Sequence, residues 1–559
     1  MKELTLSYNL FDLPTAQHKA GLAGLLVMIE TMRRRGLAPL PVIQETTATS
    51  ATITFNKETM QSLFDDLFDA EVVEVQVKAK WQGKPPKREE SISVNVEGKE
   101  KKEKRFVYDV LRPKGLFLQT LYPDGEGGWI QIWRNMLWNI LRAQPAARKV
   151  YEERAERRPS SQSDKVYHGL KKALAKSAKG KQQSESLAGT VFIGAQDKNA
   201  ELVSFSGTPM ENLLLHFWHI AALLFIPRSF SVERSQERNT AIKWQDYGFA
   251  ITIPEVSHLE YFVADLMDIL QQLDAKMAGT RPASSLIDLS EEGGLEYLYH
   301  LVKHRIDRHS LHDSVSAVEI YHVQKQGNNV RMLAAERLQP DEVLLNRYEK
   351  VRANRMNPIF KSFYLRNLLQ SERWYENSTF PLSTYPAELL VHKTGKTPFN
   401  FPFLGRDARR KFTNIQEELK HMEADEMQTE KGRDDLLARR VYDLVRHYVR
   451  IKAEGRSGKK LDTFPKDEKG HIISYPQEYR EAVEKVCLDA FLAMRGRREQ
   501  DFVEYFTGSL CSVPQFLPPD DYLLLSQTLI ADWERVKSLA MLAISANSYL
   551  SQPKTEQGA

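Results

Sequence analysis

Apolar residues recur at helical spacing near the start of the chain. Five of them follow the i, i+3, i+4, i+7 pattern of one buried helix face: Leu22, Leu25, Leu26, Ile29 and Met32. Thr15 is a suitable helix cap and Gly36 a suitable end, so the pattern predicts a helix between them. Each glycine in a helix interior costs about 1 kcal/mol relative to alanine, and Gly21 and Gly24 lie one turn apart. The pair lets another backbone approach that turn closely and therefore indicates either a packing reason or a ligand reason.

Alternation of apolar and polar residues predicts strands through the first half of the chain. The predicted strands are 4–10, 51–55, 72–80, 91–96, 189–195, 201–205 and 247–253. Helical periodicity predicts helices at 57–68, 129–142, 210–225 and 259–276. Between them, residues 227–244 are polar and rich in arginine, which is typical of a loop.

The second half of the chain changes in pattern. From residue 293 the periodicity is mostly helical, and helices are predicted at 433–452, 476–495, 499–508 and 520–550. We expect an α+β protein, with a mixed α/β N-terminal body with antiparallel strands at 1–290. A mostly helical middle region at 291–406 and a C-terminal helical bundle at 407–559 follow it.

Composition narrows the class of protein. The chain has 559 residues, of which 42% are hydrophobic and 27% charged, which is typical of a soluble protein of several domains. The net charge is only +4, so any nucleic-acid surface must be local. Two cysteines do not make a disulfide framework. There is no signal peptide and no apolar run long enough for a membrane span, so we expect a cytoplasmic protein.

Two insertions in the N-terminal body are basic. Residues 78–105 carry ten Lys or Arg against five Asp or Glu, and residues 148–187 carry eleven against five. The second insertion is also rich in serine and is predicted to be a mobile helix and linker. Charge runs of this kind are commonly solvated surfaces.

Three short motifs resemble parts of catalytic signatures but are incomplete. His300 and His304 have the i, i+4 spacing of a metal pair, and His312-Asp313 is a dipeptide of the kind found in HD-type nucleases. The glutamate of an HExxH motif and the further HD ligands are missing. Residues 395–397 read GKT, but Leu390 replaces the first glycine of a Walker loop. The sequence therefore predicts no catalytic residue, no metal and no cofactor.

Nucleic-acid binding has wider support, from basic residues and amides that cluster in predicted loops and helix starts. Arginine and lysine bind phosphates, and amides can read base edges. The candidates are Arg228, Arg234, Arg238, Asn239, Lys243, Lys171, Lys172, Arg352, Arg355, Asn357, Arg406, Arg409 and Arg410. Together they predict a phosphate-tracking surface whose affinity falls steeply with salt.

Two longer stretches resemble a known family. Residues 13–26 read LPTAQHKAGLAGLL, and residues 248–266 read GFAITIPEVSHLEYFVADL as strand, turn and helix. Both are similar to the large subunit of the CRISPR Cascade complex, in its MYXAN-type branch, which is related to the type I-A and I-B large subunits.

The resemblance implies a binding role in an RNA-guided complex. Such subunits hold the 5′ handle of the CRISPR RNA, recognise the protospacer-adjacent motif on duplex DNA and help to open the strands for the R-loop, while base pairing reads the sequence. The C-terminal bundle is similar to the Cascade small subunit, which in related systems is also made from an internal start, here Met422 or Met427. Residues 228–243 are the first candidate for the DNA-facing element, and residues 78–105 are the second.

The implied partners follow from the same resemblance. They are the CRISPR RNA, the double-stranded target DNA, the backbone and handle-binding subunits of Cascade, and the small subunit. Depending on context, transposition-targeting proteins or a nuclease-helicase join them, because relatives serve both antiviral defence and CRISPR-associated transposons. Two other classes remain open, an HD-like metal-dependent nuclease and a stand-alone RNA-binding protein.

Overall fold

The structure is a computed structural model that describes residues 3–96, 99–181, 183–194, 205–234, 240–304, 311–392, 402–427, 429–468, 470, 472–513 and 518–550. The chain divides into two compact units. Unit 1 comprises Met1–Ser229 and Gln245–Leu345, and unit 2 comprises Phe230–Trp244 and Asn346–Ala559. The sequence-based boundaries at 290 and 406 did not anticipate that residues 230–244 associate with the C-terminal part of the chain.

Antiparallel strands dominate the sheets. The strands are β1 (Leu4–Asn9), β2 (Val42–Thr46), β3 (Ser50–Phe55), β4 (Ala70–Val77), β5 (Arg88–Val96), β6 (Lys99–Pro113), β7 (Glu185–Ser186), β8 (Ser206–Gly207), β9 (Leu223–Arg234), β10 (Thr240–Asp246), β11 (Phe249–Val256), β12 (Met277–Ala278), β13 (Arg281–Pro282), β14 (Leu286–Ile287), β15 (Val315–Gln326) and β16 (Asn329–Leu338). The main sheet has the order β10-β9-β11-β15-β16, and two smaller sheets have the orders β1-β3-β2 and β4-β6-β5. Strand β14 joins β9 in a parallel pair.

Helices occur in both units and predominate after residue 346. They are α1 (Ala16–Arg34), α2 (Lys57–Leu67), α3 (Leu116–Gln119), α4 (Gly128–Met136), α5 (Lys149–Ala155), α6 (Ser161–Ser177), α7 (Pro209–Leu214), α8 (Trp218–Ala221), α9 (Leu259–Gln272), α10 (Glu292–Lys303), α11 (Leu311–Ser314), α12 (Glu342–Arg352), α13 (Pro358–Leu369), α14 (Thr379–Thr384), α15 (Ala387–Leu390), α16 (Leu404–His421), α17 (Ala424–Met427), α18 (Glu430–Ser457), α19 (Gln477–Arg495), α20 (Glu499–Tyr505), α21 (Pro519–Ala531) and α22 (Trp533–Ser548). Antiparallel sheets with a helical C-terminal region confirm the predicted α+β class.

Helix α1 is the buried scaffold of unit 1. The Thr15 side chain accepts a hydrogen bond from the backbone N–H of His18 and caps the helix. A Cβ atom added at Gly21 would lie 2.3 Å from the carbonyl oxygen of Leu214, and one added at Gly24 would lie 2.2 Å from that of Phe217. The two glycines therefore let α7 and the turn before α8 pack directly on α1.

Polar residues within the stretch 13–26 also have fixed structural roles. The buried Gln17 amide donates to the carbonyl of Ile193 at 3.0 Å and accepts from its N–H at 2.9 Å. Lys19 Nζ donates to Glu255 Oε1 at 2.9 Å, and Arg337 donates to the other oxygen of that carboxylate at 2.7 Å. Gln17 and Lys19 thus join α1 to the loop before α7 and to the main sheet.

Three histidines with lowered pKa values make the stability of unit 1 depend on pH. Burial lowers the pKa of His18 to about 4. It lowers the pKa values of His216 and His219 to about 3, with the positive charge of Arg142 adding to the effect. Because the folded state binds these protons less readily than the unfolded state, stability is complete above pH 6.5 and is lost as the pH falls toward 4. For His18 alone, the loss at pH 4 is roughly 3 kcal/mol.

We therefore expect the urea midpoint of unit 1 to fall steadily between pH 7 and pH 4. Urea titrations followed by tryptophan fluorescence at several pH values measure this dependence. His18→Gln removes one of the titrating groups, so it should flatten the pH dependence whatever its effect at pH 7. Parallel midpoints in the variant and the parent chain would contradict the assignment.

Three sequence predictions in unit 1 are wrong in detail, and the structure does not test a fourth. The helix predicted at 210–225 ends at Ala221, and strand β9 begins at Leu223 because residues 223–226 pair with β11 and β14. Residues 189–194 form turns and no strand. The predicted strand at 201–205 lies outside the described residues, apart from Phe205. Residues 315–338, expected to be mostly helical, form the β15–β16 hairpin.

The basic stretch 148–187 is not a linker over its helical part. Helix α6 buries Tyr167, Leu170 and Ala173 and packs against α2 and α7. The tryptophan stripe at 129–142 is core, as predicted, because Trp129 and Trp133 are both buried. It comprises α4 and a π-helical turn at Leu137–Leu141.

Unit 2 has one continuous apolar core. Buried side chains from Ile359 to Ala546 belong to a single cluster, which includes residues of α13, α15, α16, α18, α19 and α22. Helix α16 packs against both α18 and α22. A Cβ atom at Gly405 of α16 would lie 2.2 Å from the carbonyl oxygen of Ser545 in α22. The C-terminal helices therefore share their core with residues that precede 407.

Candidate nucleic-acid interface

Residues 227–234 and 240–244 lie in two strands of a β-hairpin, so the loop prediction is wrong for them, whereas residues 235–239 lie outside the described residues. Strands β9 and β10 are neighbours in the main sheet, and the residues between them, 235–239, have the sequence SQERN. Such a short connection makes the two strands antiparallel. Polar composition concealed an alternation of apolar residues, Phe230 and Val232 on one strand and Ile242 and Trp244 on the other.

The outer half of this hairpin is anchored in unit 2 by aromatic packing. The Phe230 ring stacks on Tyr385 at 5.4 Å and meets the Trp244 ring edge-on at 5.5 Å. Val232 and Ile242 pack against the same core. These anchors fix the two strands on either side of residues 235–239. Sequence reasoning missed them, because the predicted loop had no reason to pack against residue 385.

The predicted site residues of the hairpin have different environments. Arg228 Nη2 lies 2.9 Å from Asp288 Oδ1, so its charge is engaged within unit 1. Lys243 is exposed and lies 3.5 Å from the exposed carboxylate of Glu233. An exposed pair of this kind contributes at most about 1 kcal/mol, so a phosphate can displace the carboxylate. Arg234 is the last residue of β9, while Arg238 and Asn239 lie outside the described residues.

Asn357 is a structural residue at the start of α13. It is fully buried, and its Oδ1 accepts from the N–H groups of Ile359 at 2.9 Å and Phe360 at 3.2 Å. Its Nδ2 donates to the carbonyl of Pro402 at 2.9 Å, and its backbone N–H donates to Asp407 Oδ2 at 2.6 Å. The side chain is thus used within the protein and is not placed to read a base.

Arginines surround the buried carboxylate of Asp407 at the start of α16. Arg406 Nη2 lies 2.8 Å from Asp407 Oδ1, and it also donates to the carbonyl of Arg355. Arg410 Nη1 donates to Asn354 Oδ1 at 2.8 Å. The side chains of Arg406 and Arg410 keep 37% and 39% of their surface exposed. Both guanidinium groups are therefore preorganised and still reachable by a phosphate.

The remaining predicted cations have different environments. Arg409 Nη1 donates to the carbonyl of Tyr549 at 2.7 Å, which ties α16 to the end of α22. Arg352 is half-buried at the end of α12. Lys171 and Lys172 are exposed on α6 in unit 1, on the side away from its buried residues.

Several cations of the basic segment 78–105 form ion pairs with acids of the same sheet. Lys80 pairs with Glu89 at 2.6 Å, and Arg88 pairs with Glu74 at 2.6 Å. Hydrogen bonds from Arg88 and Lys87 lower the pKa of Glu74 to about 2. Lys80, Lys87 and Arg88 therefore already have acidic partners on the exposed surface of this sheet.

The motifs that resembled catalytic signatures do not assemble in the described part of the chain. The rings of His300 and His304 stack at 5.7 Å, and His300 Nε2 lies 3.6 Å from Glu296 Oε2. Among the described residues no group of three or more His, Cys, Asp or Glu is placed to hold a metal ion. The side chain of His312 and residues 395–397 lie outside the described part.

Two family models match the chain in succession. The one described as Type I-B CRISPR Cas8b N-terminal domain matches residues 40–310, and the one described as Type I-B CRISPR Cas8b C-terminal domain matches residues 315–547. The chain belongs to the Cas8b family. No curated protein matches it significantly.

A Cas8b chain is the large subunit of a type I CRISPR Cascade complex, which contains further Cas subunits and the CRISPR RNA. The family resemblance of residues 13–26 and 248–266 is thereby confirmed. The family boundary lies just before β15, whereas unit 1 extends to Leu345. The β15–β16 hairpin thus belongs to the C-terminal domain by family and to unit 1 by packing. No helix in the described ranges has both the length and the apolar character needed to cross a bilayer.

Proposed function

We propose that this Cas8b chain recognises the protospacer-adjacent motif on double-stranded DNA through the β9–β10 hairpin. In the same role it holds the 5′ handle of the CRISPR RNA and helps to open the duplex for R-loop formation, without a catalytic step. The C-terminal helices support the guide and target strands. The observation that carries the proposal is an anchored two-stranded ribbon whose connecting residues supply arginine and asparagine.

A ribbon of this kind has suitable dimensions and chemistry for DNA. The major groove is about 12 Å wide and admits a two-stranded β-ribbon. Arginine pairs with guanine through two hydrogen bonds, and asparagine pairs with adenine in the same way. Preorganisation by Phe230 and Tyr385 reduces the entropy lost when the strands enter a groove. Exposed Lys243 supplies a phosphate contact beside the readout residues.

Replacing the three readout candidates together should abolish motif recognition. The variant carries Arg234→Ala, Arg238→Ala and Asn239→Ala, and is assembled with the CRISPR RNA and the other Cas subunits. A good bidentate contact discriminates by about 1–3 kcal/mol, so we expect the preference for motif-bearing duplex to fall at least about tenfold. Binding of motif-bearing and motif-free duplexes measures this preference, and gel filtration checks assembly.

The β15–β16 hairpin provides a matched control. Lys325→Ala, Asn328→Ala and Arg331→Ala remove two cations and one amide near the end of another exposed hairpin. This variant should keep the motif preference. An unchanged preference in the β9–β10 variant, or an equal loss in both variants, would refute the assignment of motif recognition to β9–β10.

Other basic residues are proposed as phosphate contacts. Lys171, Lys172, Arg406 and Arg410 have exposed charge and lie on or beside helices that fix them. Contacts of this type position a nucleic acid without reading its sequence. Asn357 is left out of the proposed surface because its hydrogen bonds are used internally.

We also propose that further proteins join the complex. A small-subunit product would comprise α18 to α22 without α16, and a start at Met422 would add α17. Transposition-targeting proteins or a nuclease-helicase would join the complex according to its biological context. A fragment of about 15 kDa in purified complex, lost when both methionines are replaced by leucine, is the expected sign of the internal start.

A further inference from the structure

Unit 1 contains a cavity of about 500 Å³ at the side of α6. Its walls are formed by α5, α6, α7, the Phe68 side chain, the segment around Arg142 and residues 185–191. The apolar part of the wall includes Val150, Val166 and Leu213. The volume and the mixed lining are those of a small-molecule site.

The buried charged group of this cavity is the guanidinium of Arg142. Arg142 is 5% exposed, and its ring neighbours are Phe68 and Tyr151, each with its centroid 5.8 Å from the guanidinium carbon. Its Nη1 donates to the carbonyls of Leu141, at 3.1 Å, and Thr190. In the described part of the chain no carboxylate forms an ion pair with it. Burying a cation without a counter-ion is costly, so an anionic ligand would compensate it.

Other groups of the cavity also lack partners. Asn212 Oδ1 and His216 Nδ1 are both inaccessible to solvent and have no hydrogen-bond partner among the described residues. Lys165 is exposed and also lines the cavity, and its charge and that of Arg142 both lower the pKa of His216 after the larger effect of burial. The lining carboxylate, Glu185, is exposed and accepts from Gln183 Nε2 at 3.3 Å. One end of the cavity is thus positive, because Arg142 and Lys165 both line it.

We propose that this cavity binds one nucleotide, with the phosphate at the Arg142 guanidinium and the base against the apolar wall. A phosphate restores the missing counter-ion through charge-assisted hydrogen bonds. The flat apolar faces of a base suit the side chains of Val166 and Leu213. The nucleotide is either free or part of a bound RNA strand. This inference goes beyond motif recognition by β9–β10 and stands without it.

The test uses the full-length chain purified without nucleic acid, with AMP and inorganic phosphate as probes. Isothermal titration calorimetry should show saturable AMP binding that is at least tenfold tighter than phosphate binding. Arg142→Gln removes the charge, and Ala188→Trp narrows the exposed side of the cavity while keeping Arg142. Each should weaken AMP binding at least tenfold. Arg158→Gln is the control for loss of one arginine charge in unit 1, because Arg158 is exposed, pairs with Glu156 at 2.5 Å and does not line the cavity, and it should leave AMP binding within twofold.

Two further arms make the outcome decisive. Loss of AMP binding in complex loaded with CRISPR RNA would show that a nucleotide of the RNA occupies the cavity, and retained binding would show that the ligand is a free nucleotide. Both support the proposal. Absence of saturable AMP binding, equal affinities for AMP and phosphate, or wild-type affinity in Ala188→Trp would overturn it. The Ala188→Trp variant keeps the test valid if Arg142→Gln does not fold.

Discussion

Replacing Gly24 by alanine should destabilise unit 1 by about 3 kcal/mol or more, although alanine favours helices over glycine. The new Cβ would lie 2.2 Å from the Phe217 carbonyl oxygen and 3.0 Å from its carbon. These are backbone atoms of the segment between α7 and α8, so they cannot move aside as a flexible side chain can. Because domains are stable by only about 5–15 kcal/mol, the loss is a large share of the total. Urea unfolding followed by tryptophan fluorescence measures it, with Trp218 of α8 as a nearby buried reporter.

A glycine in open surroundings provides the control with the opposite sign. Gly455 lies in α18 with ordinary helical backbone, and a Cβ added there would meet nothing within 4 Å. Gly455→Ala should therefore stabilise unit 2 by up to about 1 kcal/mol through helix propensity. If Gly24→Ala also left the unfolding midpoint unchanged or raised it, the close approach of α7 and α8 to α1 would not be a constraint on this helix.

Helix α1 shows what the sequence can predict. Its apolar spacing and its capping residue are local, so they determine the helix and its buried face directly. The two glycines further indicated a packing or a ligand reason, and the structure shows close packing against Leu214 and Phe217. The family resemblance was carried by the same local stretch.

The candidate site was less accessible to prediction because long-range packing determines it. Residues 227–244 have the composition of a loop, yet pairing with the main sheet and contact with Tyr385 make them a hairpin. An asparagine can read a base, but hydrogen bonds with residues 402 and 407 hold Asn357 in place as a helix cap. The sequence shows where basic residues cluster. The partners that neutralise or fix each of these charges come from distant parts of the chain.

Removing α16 should abolish cooperative folding of the C-terminal helices. Its large buried side chains are Leu404, Phe412, Ile415 and Leu419, and Phe412 stacks on Tyr442 of α18 at 4.6 Å. Burial of each contributes about 1.5–3 kcal/mol, so their sum is comparable with the whole stability of a domain. We expect the fragment 427–559 to bind the dye ANS and to lack a cooperative urea transition. The fragment 346–559, which retains α13 to α16, should unfold cooperatively.

A synthetic peptide of residues 402–421 supplies the control for this fragment pair. Added to fragment 427–559, it should reduce ANS binding and restore a cooperative transition, whereas the same peptide with Phe412→Ala should do so less well. Cooperative unfolding of fragment 427–559 alone would instead show that the C-terminal helices are autonomous. If they are not, a product started at Met422 or Met427 can be stable only when another chain covers the surface of α18 and α22 that α16 occupies in the full-length protein.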